Sequence, residues 1–131
     1  MKTLIILVIS FCMLIISGCK NDTTTNTYEY NTVNIRSVND TLAISISTTN
    51  HNYNQLIPVV FTVDTLKLSM LVSGYGSGNG LFKIMNDTTA LFTKDLNSNY
   101  SISQQLTLGT LTDAVLSLQN YKGNASILLT R

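Results

Sequence analysis

Three tyrosines of this sequence are predicted to lie in polar loops, and two of them follow an asparagine. Tyr53 follows Asn52, Tyr75 lies between two glycines, and Tyr100 ends an asparagine-rich segment. An aromatic face beside amide groups suits recognition of a sugar or a peptide. Because alternate loops of a β-sandwich cluster at one end, these four residues are predicted to form a ligand patch, here called the tyrosine patch. The alternative is that each ring covers one end of the core and leaves its hydroxyl in water.

A second candidate site is a segment in which oxygen-bearing side chains alternate as they do in calcium loops. Its ligands would be Asp95, Asn97 and Asn99. The resemblance to an EF-hand loop ends there, because Tyr100 takes the place of the glycine and Leu106 that of the bidentate glutamate. A polar hairpin loop is the alternative. No other metal site and no cofactor is predicted.

The sequence predicts no catalytic constellation, which would require a nucleophile, a base and an orienting group. His51 is the single histidine, and it lies in an asparagine-rich segment. Most aspartates occupy predicted turns, where Asp caps backbone groups. A small hydrolase remains an alternative, and its carboxylates would come from Asp40, Asp64, Asp87, Asp95 and Asp113.

The start of the sequence passes from an apolar run to a polar segment at a cysteine. After a short basic start, the run from Leu4 to Ile16 is broken only by Ser10 and is shorter than the roughly 20 residues that span a bilayer as a helix. Its end, Leu14-Ile15-Ile16-Ser17-Gly18-Cys19, resembles the lipobox of bacterial lipoproteins. An uncleaved transmembrane helix is the alternative.

The lipobox resemblance implies a processing route and a location. Cleavage would fall between Gly18 and Cys19, after the Cys19 thiol receives a diacylglyceryl group, and the new amine would then be acylated, for example with palmitate. The protein would be anchored by these chains in the bacterial cell envelope, at the outer membrane or cell surface in a Gram-negative cell. Two or three chains hold a protein stably on a membrane, whereas one holds it only marginally.

The composition after Cys19 excludes some classes of partner and of stabilisation. Seven basic residues face seven acidic ones, so no basic surface for nucleic acid is predicted. The 14 Asn, 11 Ser and 17 Thr predict a surface that is hydrogen-bonding and weakly charged. Because Cys12 and Cys19 are the only cysteines, the mature domain is predicted to have no disulfide.

The chain is predicted to form one all-β domain behind its anchor. Residues 1–18 read as a helical signal peptide, 19–27 as the lipidated cysteine and a flexible tether, and 28–131 as an antiparallel β-sandwich of about seven to nine strands. A small β-barrel is the alternative fold. The evidence is period-two alternation of apolar residues, clearest at Leu42, Ile44 and Ile46.

Several polar or glycine-rich segments are predicted to separate these strands. Loops are expected at residues 50–55 and 97–100, and turns at 38–41, 64–65, 86–89 and 121–124. The segment 74–80 has glycine at every second position and is predicted to be a hairpin tip or a close approach of two backbones.

Taken together, these features predict a membrane-anchored lipoprotein with a non-enzymatic binding domain outside the cytoplasm. Its partner would be a glycan or an envelope protein. A structural accessory subunit of an envelope assembly, which would use exposed sheet edges, is the first alternative. The small Asp-dependent hydrolase is the second.

Overall fold

The computed structural model describes residues 30–59, 61 and 64–131 and shows an all-β domain. The predicted signal peptide, Cys19 and the tether lie outside these residues. Within them there are six strands and no helix long and apolar enough to cross a membrane. The strands are β1 (Thr32–Ser37), β2 (Thr41–Pro58), β3 (Thr65–Asn86), β4 (Thr89–Asp95), β5 (Tyr100–Thr107) and β6 (Asp113–Thr130).

All six strands belong to one antiparallel sheet with β6 at its centre. The order is β1-β2-β6-β3-β4, and β5 pairs with the first part of β3 on the same side as β4. β6 pairs along its length with β2 on one side and with β3 on the other. The sheet therefore depends on three long strands that lie side by side.

The long strands fold back on themselves. A straight strand of 18 residues, the length of β2, would span about 60 Å. However, Ser37, which pairs with Leu42 near the start of β2, donates from Oγ to the carbonyl of Pro58 at its end, at 3.2 Å. The two ends of β2 are thus adjacent.

The fold-back occurs at the same level in β2, β3 and β6. The pairing of β2 with β6 shifts register between residues 48 and 53, and that of β3 with β6 shifts between residues 73 and 79. These residues, with 119–124 of β6, are called the bend. Each long strand contributes an arm to both resulting layers. The first layer contains β1, β5 and the arms of the long strands that end at Thr41, Thr65 and Thr130. The second layer contains β4 and the opposite arms of the same three strands.

The two layers enclose one apolar core. Side chains of the first layer (Leu42, Ile44, Ile46) and of the second (Leu116, Phe82) belong to the same buried cluster. Burial alternates along each arm, as period-two patterning requires. The all-β antiparallel sandwich is confirmed. It is built from six continuous strands rather than seven to nine, because three predicted pairs of strands are single strands that cross the bend.

The predicted connections have three different outcomes. The turns at 38–41 and 86–89 are confirmed, and so is the loop predicted at 97–100, except that its last residue, Tyr100, begins β5. Residues 50–55, 74–80 and 121–124 instead lie inside strands, because the ladder continues through the bend with shifted register. The turn predicted at 64–65 was expected to join the two strands beside it as a hairpin, and this is wrong, since β2 and β3 each pair with β6 rather than with each other.

Gly78 marks the close approach of two backbones in the bend. Its φ is 84°, a region that disfavours side chains, and a Cβ there would lie closer than 3.0 Å to the carbonyl oxygen of Asn120. Of the two predictions for the glycine segment, the close approach is correct and the hairpin tip is wrong.

Replacing Gly78 with alanine is expected to destabilise the domain more than the same change at Gly109. Both residues have positive φ, which costs alanine about 1–2 kcal/mol. Nothing lies within 4 Å of a Cβ at Gly109, whereas at Gly78 the backbone of β6 must move, adding about 1–3 kcal/mol. Urea denaturation followed by circular dichroism measures both losses, and equal losses would contradict the close approach.

Candidate functional site

Asparagine side chains satisfy backbone N–H groups that the bend removes from regular pairing. The Gly80 N–H donates to Asn97 Oδ1 at 2.6 Å, and the Tyr75 N–H donates to Asn99 Oδ1 at 2.8 Å. Both asparagines lie in the connection between β4 and β5. This connection is therefore tied to β3 by two side-chain hydrogen bonds.

The other side of the bend uses the same device between β2 and β6. The Asn120 N–H donates to Asn52 Oδ1 at 2.7 Å, and the Thr48 hydroxyl donates to the carbonyl of Tyr121 at 2.9 Å. Thr48 is the one buried polar residue among those that the structure describes. Its hydroxyl is directed at a carbonyl where the register shifts, so the bend is hydrogen-bonded on both sides of β6.

Tyr121 is the side chain at the centre of the bend. It has no exposed surface, its hydroxyl donates to the carbonyl of Leu96 at 3.0 Å, and its ring lies 5.9 Å from that of Tyr75. The sequence predicted a turn at this position and did not identify it as core. Burial alternates without a break from Tyr121 to Leu129, so Tyr121 continues the period of Ala125 and Ile127, but the turn-like Lys122-Gly123-Asn124 concealed this signal.

Tyr75 and Tyr100 also bond to the backbone of the bend region. The Tyr75 hydroxyl donates to the carbonyl of Gly78 at 2.7 Å, and that of Tyr100 donates to the carbonyl of Asp95 at 2.8 Å. Both rings are partly buried against the core. The Lys94 ammonium lies 4.9 Å from the centre of the Tyr100 ring, so a cation already covers part of this aromatic face.

The residues of the tyrosine patch lie on both sides of β6. Tyr75 and Tyr100 are on the β3 side, whereas Asn52 and Tyr53 belong to β2. Tyr53 donates its hydroxyl to Gln55, and its ring is partly buried and lies 6.1 Å from that of His51. The partial burial of the three tyrosine rings agrees with the alternative prediction, in which each ring covers the core. The tyrosine hydroxyls, however, are hydrogen-bonded to protein groups rather than left in water. Whether the tyrosine patch binds a ligand stays a prediction.

A polar depression lies beside the bend, where β3, β4 and β6 meet. It has a volume of about 270 Å³ and is lined by Asn79, Gly80, Leu81, Asp95, Asn97, Ser117 and Gln119. Pairing of Asn79 with Gln119 and of Leu81 with both Ser117 and Asp95 brings these residues together. Strand register determines which residues line the polar depression, so the sequence pattern alone did not reveal this site.

The polar depression contains two of the three calcium-ligand candidates, Asp95 and Asn97. The amide oxygens of Asn97 and Asn99 already accept backbone N–H groups of β3. Among the described residues there is no group of three or more His, Cys, Asp or Glu side chains that could hold a metal ion. Calcium binding stays a prediction.

The remaining hydrolase candidates are placed far from the bend. Asp40, Asp64, Asp87 and Asp113 lie in connections or at a strand start at the opposite end of the layers. His51 lies in β2 next to Tyr121 of β6. The arrangement separates the histidine from these four carboxylates, whereas the polar depression combines amides, a hydroxyl and one carboxylate, groups that suit reversible binding.

Replacing Tyr121 with phenylalanine is expected to lower the free energy of unfolding at pH 7 by about 1–3 kcal/mol, because the buried Leu96 carbonyl loses its donor. Burial, with a smaller contribution from Tyr75, raises the pKa of Tyr121 from 10.0 to about 12. The folded state thus favours the neutral phenol, and the resulting stabilisation is complete below pH 10 and is lost as pH rises toward about 12.

This loss of stability at high pH should be smaller in Tyr121→Phe than in the unsubstituted protein. Tyr30→Phe is the matched control, because Tyr30 is 76% exposed. Urea denaturation between pH 7 and pH 11 measures both effects, and identical behaviour of the two variants would contradict the role of Tyr121.

The candidate site thus consists of a hydrogen-bonded bend and a polar depression beside it. No family model, curated protein or solved structure matches this chain.

Proposed function

We propose that this protein is a membrane-anchored bacterial lipoprotein whose β-sandwich domain binds a partner outside the cytoplasm without enzymatic activity. The polar depression is the observation that carries the binding part of the proposal. The anchoring part is supported by the lipobox-like segment from Leu14 to Cys19, which lies outside the described residues.

A glycan is the partner that best suits the polar depression. Asn79 and Gln119 offer amide donors and acceptors, Ser117 offers a hydroxyl, and Asp95 offers a carboxylate. Sugar hydroxyls are both donors and acceptors, so this mixed set can bind them. Leu81 adds an apolar surface for the carbon face of a sugar ring.

The hydrogen bonds of the bend support binding by a preorganised surface. Asn97 lines the polar depression while its Oδ1 is fixed by the Gly80 N–H, and the Asp95 carbonyl is fixed by Tyr100. A binding group that is already held in place loses less conformational entropy when a ligand binds. The tyrosines would then act as positioning residues behind the binding surface.

The anchor would place this surface near a membrane without fixing it there. Residues 20–27 contain no apolar side chain and would reach at most about 26–29 Å when extended. The domain has no basic excess to hold it against anionic lipid, so the acyl chains on Cys19 would supply the attachment.

Replacing Cys19 with serine is expected to move the protein from the membrane fraction to the soluble fraction, or to block its processing, because serine cannot receive the thioether-linked lipid. The folded domain should be unaffected. Labelling of growing cells with a radioactive fatty acid, followed by their fractionation, measures both the lipidation and the location of the protein. Cys12→Ser is the matched control. Normal membrane retention and labelling of Cys19→Ser would contradict anchoring.

Substitution of Asp95 by asparagine or of Gln119 by alanine is expected to weaken glycan binding by about 10-fold or more, since the first replaces a charged acceptor with a neutral amide and the second removes an amide that would bond to the sugar. Gln105→Ala is the matched control, because this exposed glutamine lines a different depression on the first layer. A glycan array, followed by binding to cells with and without their surface polysaccharide, provides the measurement.

Three results would decide between the candidate partners. Loss of glycan binding in Asp95→Asn and Gln119→Ala, and in no other variant, supports the polar depression as the binding site. Binding that is unchanged by them and lost in Tyr53→Ala would instead place the ligand on the β2 side of the tyrosine patch. Absence of glycan binding altogether would contradict the proposed ligand class.

A further inference from the structure

β5 is an edge strand without the usual protection against pairing. Its eight residues, Tyr100–Thr107, pair with β3 on one side only, and no other described strand pairs with them. The strand contains no charged residue and no proline. Natural proteins usually place such residues on an exposed edge, because a free ladder of N–H and C=O groups readily pairs with another strand.

The other edges of the two layers do carry such features. β1 has six residues and includes Arg36. β4 has seven residues, includes Lys94 and Asp95, and has a register shift in its pairing with β3. The second arm of β2 is also an edge, because β1 pairs only with its first arm, but it ends in Pro58 and contains the register shifts of the bend. Among the described strands, β5 is therefore the one edge that has no charged residue, no proline and no register shift.

Apolar side chains along β5 are left partly exposed at this edge. Tyr100, Ile102 and Leu106 alternate on the inner face of the strand, and Leu108 follows it. All four pack against the core but remain partly exposed to solvent. An additional strand beside β5 would cover them.

We propose that two copies of this chain pair through β5, as antiparallel strands related by a two-fold axis at Gln104. The first layers of the two copies would then form one continuous sheet. The apolar residues of this edge are spaced symmetrically about Gln104, so the edge is complementary to a second copy of itself. The pairing does not require the glycan or the lipid.

The register follows from the positions of side chains along the strand. Residues directly opposite in an antiparallel pair point to the same face, so a two-fold axis perpendicular to the sheet must lie midway between the two copies of one residue. With the axis at Gln104, Ile102 lies opposite Leu106 and Tyr100 lies opposite Leu108. Gln104 meets its own copy, and the two amides can donate to and accept from each other.

A two-fold axis at Ser103 gives a poorer match. It would place the apolar Ile102 opposite the amide of Gln104 of the second copy. Cross-strand pairs of like polarity contribute to sheet stability, so the axis at Gln104 is favoured.

Charges do not oppose this arrangement. The nearest cation to the centre of β5 is Lys67, which lies on the adjacent strand opposite Gln105. Its copy would be at least three strand spacings away, about 14 Å, which exceeds the Debye length of about 8 Å at physiological ionic strength. Repulsion between the two lysines is therefore screened.

Pairing through a single strand of eight residues makes a small interface, so the association is expected to be weak in dilute solution. Confinement of two copies to one membrane would raise their effective concentration and favour pairing. Cross-linking in the cell envelope is for this reason the appropriate test.

The test uses the full chain with Gln104→Cys, produced in bacteria and oxidised with copper phenanthroline. At the proposed axis the two Cα atoms would be about 4.5–5.5 Å apart, within the range that a disulfide bridges. Ser103→Cys places its two Cα atoms about 8 Å apart in this register, beyond that range. A dimer of twice the chain mass is expected from Gln104→Cys alone, at least several-fold above the background.

The controls are Thr93→Cys on the β4 edge and the unsubstituted chain, whose cysteines are Cys12 and Cys19. Cross-linking of Gln104→Cys at the level of these controls would overturn the proposal, as would a stronger signal from Ser103→Cys. An adduct with a different protein would also overturn it. Membrane and soluble fractions are both analysed, so failed lipidation is distinguished from failed pairing.

A charge exchange provides a second readout. Gln104→Lys and Gln104→Glu chains should each lose amine-reactive or zero-length cross-linking into dimers when produced alone, because like charges would meet at the axis. Co-production of the two chains should restore the dimer. Loss without restoration would overturn the pairing at Gln104.

Discussion

The fold depends on satisfying backbone hydrogen bonds where three adjacent strands turn together. A sheet can double over only if the N–H and C=O groups that lose their ladder partners find others, because unpaired polar groups are costly inside a protein. Here asparagine amides, a threonine hydroxyl and tyrosine hydroxyls provide those partners at the level of Gly78. No buried side-chain polar atom among the described residues lacks a hydrogen bond.

The same interactions explain why sequence patterns predicted the layers better than the bend. Alternation at Leu42, Ile44 and Ile46 reports burial of one face, and the structure confirms it. Glycine and polar residues are frequent in the bend, so residues 74–80 and 121–124 resembled turns although each lies within a continuous strand. Local sequence reports which face is buried but not that two apparent strands are one, because that depends on pairing with distant residues.

The candidate site shows a related ambiguity of chemistry. An aromatic ring beside an amide suits a sugar, but it equally suits a backbone that needs donors and acceptors, and Tyr75 and Asn99 serve the second purpose. The polar depression depends on cross-strand neighbours such as Asn79 and Gln119, which are 40 residues apart in the sequence. Asp95 and Asn97 were identified from the sequence, although for their calcium-like spacing rather than for this surface.

The central position of β6 has a consequence for the order of folding during synthesis. β2 and β3 do not pair with each other, so neither arm of the sheet can complete its ladder until β6, which follows every other strand in the sequence, has been made. Such long-range pairing slows folding. A nascent chain that has not yet made β6 therefore holds β2 and β3 as separate strands, and the two layers cannot yet close over a common core.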